Sequence, residues 1–223
     1  MRNKAPFAAL LILISTLVVF STGSPVAATV SPFPQQTPSG GFRSIDGSDL
    51  FMCALSTASE LYCWGNNTVS GIEQGASDGT YTGDAPGEIA ATSAIDLGTD
   101  VRVHQFDIGN NSTCAVIDNG GVKCWGQNTS GSLGYGDTTT RYNTAQMGDS
   151  LPTVSLGINV TAIKVGVGVE HACVITNSRN VKCWGGNAFG QIGRGDTSSW
   201  GDGAGEMGSS LPNVNLGTGV VAR

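Results

Sequence analysis

The sequence predicts an all-β protein assembled from three copies of one unit, and three observations carry that reading. Cysteines fall in pairs of identical spacing, at 53 and 63, 114 and 124, and 173 and 183, and the second of each pair opens Cys-Trp-Gly. Short β-rich runs flank a turn inside the pairs, most clearly around Asp118-Asn119-Gly120-Gly121 in the second. The composition excludes the main alternatives. With 33 glycines and 13% charged residues in 223, long helices and coiled coils lack both helix formers and charge pairs. A 39% apolar content leaves enough surface to bury that disorder is disfavoured.

In chain order, Arg2 and Lys4 precede an apolar run from Phe7 to Phe20 broken only by Ser15 and Thr16, and small residues follow at Ala27 and Ala28. This three-part pattern assigns 1–28 to a secretory signal peptide cleaved near Ala28. The run reaches only about 21 Å as a helix, short of the roughly 30 Å of a bilayer's hydrocarbon, so an uncleaved anchor is the weaker reading. No later run approaches the length of a membrane span. Export into an oxidising, extracellular space is the expectation. Losing the two positive charges of Arg2 and Lys4 takes the net charge from −6 to −8. That sign gives no support for a nonspecific grip on nucleic acid or on an anionic membrane. Residues 29–41, with Pro32, Pro34, Pro38, Gly40 and Gly41, form an extended lead-in.

The remaining chain, 42–223, divides at about 42–101, 102–160 and 161–223. Gly131-Ser132-Leu133-Gly134-Tyr135-Gly136-Asp137 matches Gly190-Gln191-Ile192-Gly193-Arg194-Gly195-Asp196. Met147-Gly148-Asp149-Ser150-Leu151-Pro152 matches Met207-Gly208-Ser209-Ser210-Leu211-Pro212, and Leu-Gly recurs at 97–98, 156–157 and 216–217. The first unit is degenerate: Gly71-Ile72-Glu73-Gln74-Gly75 matches only in part, and Gly87-Glu88-Ile89 stands in place of the Met-Gly-x-x-Leu-Pro segment.

The clearest local structure in each unit is a hairpin. Cys114-Ala115-Val116-Ile117 and Val122-Lys123-Cys124-Trp125 flank Asp118-Asn119-Gly120-Gly121, whose residues tolerate positive φ. Pairing 114 with 124 sets both cysteines on one face, directly opposite, at a separation that a disulfide can close. Local bridges 53–63, 114–124 and 173–183 are the first choice among the fifteen connectivities that six cysteines allow. Six reduced core cysteines are the alternative, against which the export signal weighs. Ten-residue spacing without Cys-x-x-Cys is not a zinc-ligand pattern.

From Cys-Ala-Val at 114–116, through Val-Lys-Cys-Trp-Gly at 122–126, to Gly-x-Leu-Gly-x-Gly-Asp at 131–137, the second unit resembles the repeat of the regulator of chromosome condensation family, in its cysteine-paired, secreted form. The resemblance spans about 42–223 and is most specific in the second and third units. It implies a β-propeller with one four-stranded blade per repeat, whose glycines permit tight turns and close strand packing near the axis. Trp64, Trp125 and Trp184 then pack blade against blade, with carbohydrate stacking as the lesser alternative. Three motifs, against the roughly seven blades with which that family's propeller usually closes, make an incomplete propeller. A piece of a longer chain is the expectation; an open arc that covers its edges with other copies is the alternative.

Catalytic chemistry has little to stand on. His104 and His171, the two histidines, occupy different repeat positions outside any nucleophile, metal or acid–base motif. His171, two residues before Cys173, fits a structural hairpin role and His104 a surface one. Gly201-Asp202-Gly203-Ala204-Gly205-Glu206 lacks the alternating carboxylates of a calcium loop and reads as a turn. No cofactor motif occurs. Glycosylation triplets start at Asn66, Asn110, Asn111, Asn128 and Asn159. Asn128 shares the Trp-Gly-x-Asn position with Asn67 and Asn187, so its side chain is expected to bond turn backbone and stay unmodified. The leading function is a secreted or cell-surface, non-catalytic module that offers propeller loops to a protein or a glycan. Guanine-nucleotide exchange or chromatin association, implied by the resemblance, is the runner-up, which the export signal and the acidic charge oppose; no residue of that activity can be matched by motif. A propeller-based enzyme comes third.

Overall fold

The paired-cysteine hairpin is the centre of each sheet. The computed structural model describes residues 40–67 and 81–223; the segment 1–28 read as a signal peptide, nearly all of the expected lead-in and Gly71–Gly75 lie outside the described residues. The first sheet holds β1 (Phe42–Gly47), β2 (Phe51–Ser56), β3 (Leu61–Asn66) and β4 (Tyr81–Thr82), followed by a one-turn helix, α1 (Glu88–Ala91). The second holds β5 (Val103–Ile108), β6 (Ser112–Ile117) and β7 (Val122–Gly126), and the third β8 (Ala162–Val167), β9 (His171–Thr176) and β10 (Val181–Gly185). All neighbours are antiparallel and follow chain order. The three hairpins set Cys53 opposite Cys63, Cys114 opposite Cys124 and Cys173 opposite Cys183, and each pair is joined by a disulfide. Each leading strand carries an irregularity at one equivalent point, after Phe42, Val103 and Ala162.

The four-stranded blade implied by the resemblance is realised as three full strands and a rudimentary fourth. β4 pairs over two residues, and in the other units its place is taken by single bridges, Gly126 to Arg141 and Gly185 to Trp200. The glycine of Cys-Trp-Gly is the cause. Gly65, Gly126 and Gly185 have φ of 119°, 109° and 101°. A Cβ at these positions would collide with Leu50 O, Asn111 O and Glu170 O respectively. The strand therefore leaves β geometry at this residue, where only glycine fits, and one or two rungs remain.

The blades stack through two cores. Phe51, Leu55 and Leu61 of the first blade meet Phe106, Ala115 and Trp125 of the second. Val116, Val122 and Leu133 of the second meet Val165, Ala172 and Trp184 of the third. β6, covered on both faces, is buried throughout, whereas β9 is buried only at alternate residues. The arrangement is a partial propeller of three blades.

Candidate interaction surfaces

The loop after Cys-Trp-Gly in the second and third units is built around one asparagine. Asn128 is fully buried. Its Nδ2 donates to Asp137 O (2.8 Å) and Thr139 O (3.2 Å), and its Oδ1 accepts from Leu133 N (2.9 Å). Asn187 repeats the pattern with Asp196 O, Ser198 O and Ile192 N. These bonds pull Leu133 and Ile192, both fully buried, into the loop as plugs. Of the glycosylation candidates, Asn159 is exposed and Asn66, Asn110 and Asn111 are half-buried.

The same loops carry a cation over an aromatic ring, with the partners exchanged between units. Arg141 lies over Tyr135, 4.4 Å from the ring centroid, and Arg194 lies over Trp200 at 3.4 Å. By repeat position Tyr135 corresponds to Arg194, and Arg141 to Trp200. The pair persists although neither residue does, which marks the contact itself as the constrained quantity. Burial raises the Tyr135 hydroxyl far above its ordinary value. That hydroxyl accepts from Cys124 N and donates to a carbonyl, Cys124 O or Pro152 O.

Blades are also joined by polar links. The Gln105 side chain donates to Val165 O (3.1 Å) and accepts from Val165 N (2.7 Å), so one amide serves both backbone groups of the next blade. Two residues on, the Asp107 carboxylate accepts from Val167 N. Burial, reinforced by the neighbouring Asp46 carboxyl, pushes the Asp107 pKa up to about 6 against the pull of the Val167 N–H. A shallow groove of ≈ 440 Å³ lies on the other side of β5, between the first and second blades, lined in part by Asp46, His104, Gln105 and Asp107. The lysines of Val-Lys-Cys-Trp reach loop carbonyls: Lys123 Nζ donates to Leu97 O and to Gly148 O, and Lys182 Nζ to Leu211 O. Burial lowers the pKa of both. The sequence singled out neither Gln105 nor Asp107; the repeated lysine was the one available signal for this layer.

The histidines are not brought together. His104 is exposed and lies 2.8 Å from the Asp118 carboxylate, while His171 opens β9, its pKa lowered by burial. In the Gly201–Glu206 turn the Glu206 carboxylate accepts from Gly201 N (2.7 Å) and Gly203 N (2.8 Å). Among the described residues no group of three or more His, Cys, Asp or Glu is placed to hold a metal.

Trp125 and Trp184, each fully buried between two blades, contrast with Trp64. Trp64 is half-buried and looks onto an apolar depression of ≈ 850 Å³ lined by Phe42, Ile45, Ala54, Tyr62 and Ile89. Ile45 is 63% exposed, whereas its repeat equivalents Phe106 and Val165 are 5% and 1%. At the other end of the arc, His171, Cys173, Ile175 and Val181 are half-buried on the outward face of the third blade.

The family model for the regulator of chromosome condensation (RCC1) repeat matches residues 162–191, which run from β8 to the loop plug. The third unit thus matches the regulator of chromosome condensation repeat. The chain is 29% identical over 154 residues to the ultraviolet-B receptor UVR8 of Arabidopsis thaliana, covering 67% of this chain and 30% of the receptor. It is 32% identical over 98 residues to the probable E3 ubiquitin-protein ligase HERC4 of Homo sapiens, covering 44% of this chain and 9% of the ligase. The chain thus spans a third or less of these relatives. Among solved structures, human WBSCR16 superposes with a TM-score of 0.54 at 19% identity, over 73% of this chain and 40% of that one. Prp20p of Saccharomyces cerevisiae gives 0.54 at 19%, over 82% and 38%. These likenesses show that the three blades follow the propeller of regulator of chromosome condensation proteins. Among the described residues no helix is long and apolar enough to cross a membrane.

Proposed function

We propose that the chain is a secreted or cell-surface, non-catalytic binding module whose propeller loops engage a protein or a glycan. The observation that carries this reading is a bridged hairpin in every unit together with, in the second and third, a loop locked by a buried asparagine. Disulfides persist in oxidising compartments, and rigid loops on a fixed scaffold suit recognition. Residues 1–28 supply the export signal. Prp20p of Saccharomyces cerevisiae has binding properties toward Gsp1p and histones. Transfer of such a role to this chain is opposed by the export signal, and the −6 charge gives no support for contact with nucleic acid.

Expression in a secretory host tests the reading. The exported protein is expected to begin just after Ala28, to contain no alkylatable thiol, and to retain a subset of a glycan or ectodomain array. Retention inside the cell with six free thiols would overturn the extracellular assignment, and turnover of an array member would overturn the non-catalytic one.

A further inference from the structure

We infer that Asn119 is a site of spontaneous covalent modification, at which its side-chain amide is lost and the turn that ties the second blade to the third is rebuilt around an extra main-chain carbon. The sequence contains one Asn-Gly pair, Asn119-Gly120, and the fold sets its asparagine exposed at the tip of the β6–β7 hairpin. A glycine after asparagine puts no side chain in the way of ring closure between its own nitrogen and the asparagine side chain. The equivalent turns hold Ala58-Ser59 in the first unit and Ser178-Arg179 in the third, so neither has this pair. The backbone of the turn does not require the glycine, because Ser59, Gly120 and Arg179 all have positive φ, at 69°, 73° and 64°. Packing requires it: a Cβ on Gly120 would lie 2.7 Å from Thr161 Cβ and 3.2 Å from Ala162 O, at the start of the third blade.

The turn brings the reacting atoms into one ring. Asn119 Oδ1 accepts from Gly121 N (2.8 Å), which closes a ring containing both Asn119 Cγ and Gly120 N and draws electrons from the carboxamide carbon. In the reaction the Gly120 nitrogen gives its proton to solvent and attacks Cγ. The new N–Cγ bond closes a cyclic imide as the Cγ–Nδ2 bond breaks, and the departing nitrogen takes up a proton and leaves as ammonia. Water then opens the imide and returns a proton to the Gly120 nitrogen. Opening at Cγ restores the peptide with aspartate at 119; opening at the main-chain carbonyl leaves Gly120 joined through the side chain, as isoaspartate. Water is consumed and ammonia released in equal amounts, with no change of oxidation state.

Two bonds restrain the closed turn. Gly120 N donates to Ile117 O (2.8 Å), and Gly120 O accepts from Ala162 N (2.7 Å), at the first residue of β8. The attacking nitrogen is released only when the turn opens, so the folded chain reacts more slowly than the unfolded one. Isoaspartate makes the opening permanent. Its extra main-chain carbon falls where Gly120 and Gly121 already stand against Thr161 and Thr153 without room for a Cβ, so the bond from Ala162 N to Gly120 O is lost. The same close approach that demands glycine at 120 thus makes the preceding asparagine labile and the joint sensitive to its loss.

The test holds the exported, oxidised chain at neutral pH and physiological temperature and samples it over weeks. Peptide mapping is expected to show amide-to-acid conversion at Asn119 severalfold faster than at Asn159 or Asn177, both exposed. Conversion at Asn119 should be slower than in the urea-unfolded chain, and isoaspartate, detected by enzymatic methylation, should be the larger product. The isoaspartate fraction, isolated by chromatography, should lose hydrogen-exchange protection at Ala162 N. Freshly prepared Asn119→Asp, which adds the charge without the extra carbon, should keep that protection. Conversion at Asn119 no faster than at Asn159 and Asn177 overturns the site, and a folded chain that reacts as fast as the unfolded one overturns the restraint by the turn. An isoaspartate fraction with Ala162 still protected, or equal loss of protection in Asn119→Asp, overturns the rebuilt turn.

Discussion

The loops depend on Asn128 and Asn187 more than on any exposed side chain. Replacing Asn187 by alanine leaves two carbonyls and a buried N–H without a partner, and replacing Asn128 leaves one carbonyl and a buried N–H, since Thr139 O keeps its bond from Arg141 Nη1; the cost is roughly 1–3 kcal/mol for each group left unpaired. Thermal denaturation of Asn128→Ala and Asn187→Ala is expected to show large drops, while Asn159→Ala, exposed but at a φ of 60° that alanine tolerates less well than asparagine, shows a smaller one. The same burial bars Asn128 from glycosylation: where the host modifies exported chains, mass spectrometry should find a glycan on Asn159 and none on Asn128. Asp107 makes a second residue-scale prediction. Its pKa is raised from 3.8 to about 6, so the folded chain holds this proton more tightly than the unfolded one. Its contribution to stability is full below the unfolded value and is lost as pH rises through the folded one, so stability falls between about pH 4 and 6. Discounted for solvent screening at this half-exposed site, the effect is on the order of 1 kcal/mol, or ~2–4 °C in melting temperature. Asp107→Asn, whose amide oxygen still accepts from Val167 N, should flatten that part of the pH curve.

Each hairpin is a closed element because its bridge spans a short loop. Removing one bridge by Cys114→Ser with Cys124→Ser should cost roughly 2–3 kcal/mol by loop-closure entropy, read from denaturant midpoints. The exchanged cation–aromatic pairs yield a double-mutant cycle. Arg194→Tyr and Trp200→Arg together recreate the arrangement of the second blade, so the double variant is expected to recover most of the ~1–2 kcal/mol that each single change loses. The hairpins and their register were legible in the sequence because a repeated ten-residue spacing between β-rich runs, with a glycine turn in the second unit, favours the antiparallel pairing that opposes the cysteines. The weak fourth strand was not, because it depends on the positive φ at Gly65, Gly126 and Gly185 and on the collision that a Cβ would meet there. The Gln105 and Asp107 links were hidden for another reason: they arise from the stagger of one blade against the next, which no local pattern records. Gly87-Glu88, a departure from the repeat by sequence, matches Gly205-Glu206 of the third unit once their carboxylates are seen to hold the same turn.

At the scale of the molecule, stability is a sum over blades and the joints between them, so the value of a side chain depends on whether its joint is filled. Trp64, Trp125 and Trp184 occupy one repeat position and differ only in that respect. Trp184 is enclosed, and its Nε1 donates to Ser132 O of the preceding blade (2.9 Å). Trp184→Ala should therefore cost ~3–5 kcal/mol. Trp64→Ala removes a ring that is half-buried among the described residues, so it should cost much less. Thermal melts of the two variants check this: equal penalties would mean that enclosure of the ring between two blades does not set what it contributes to stability.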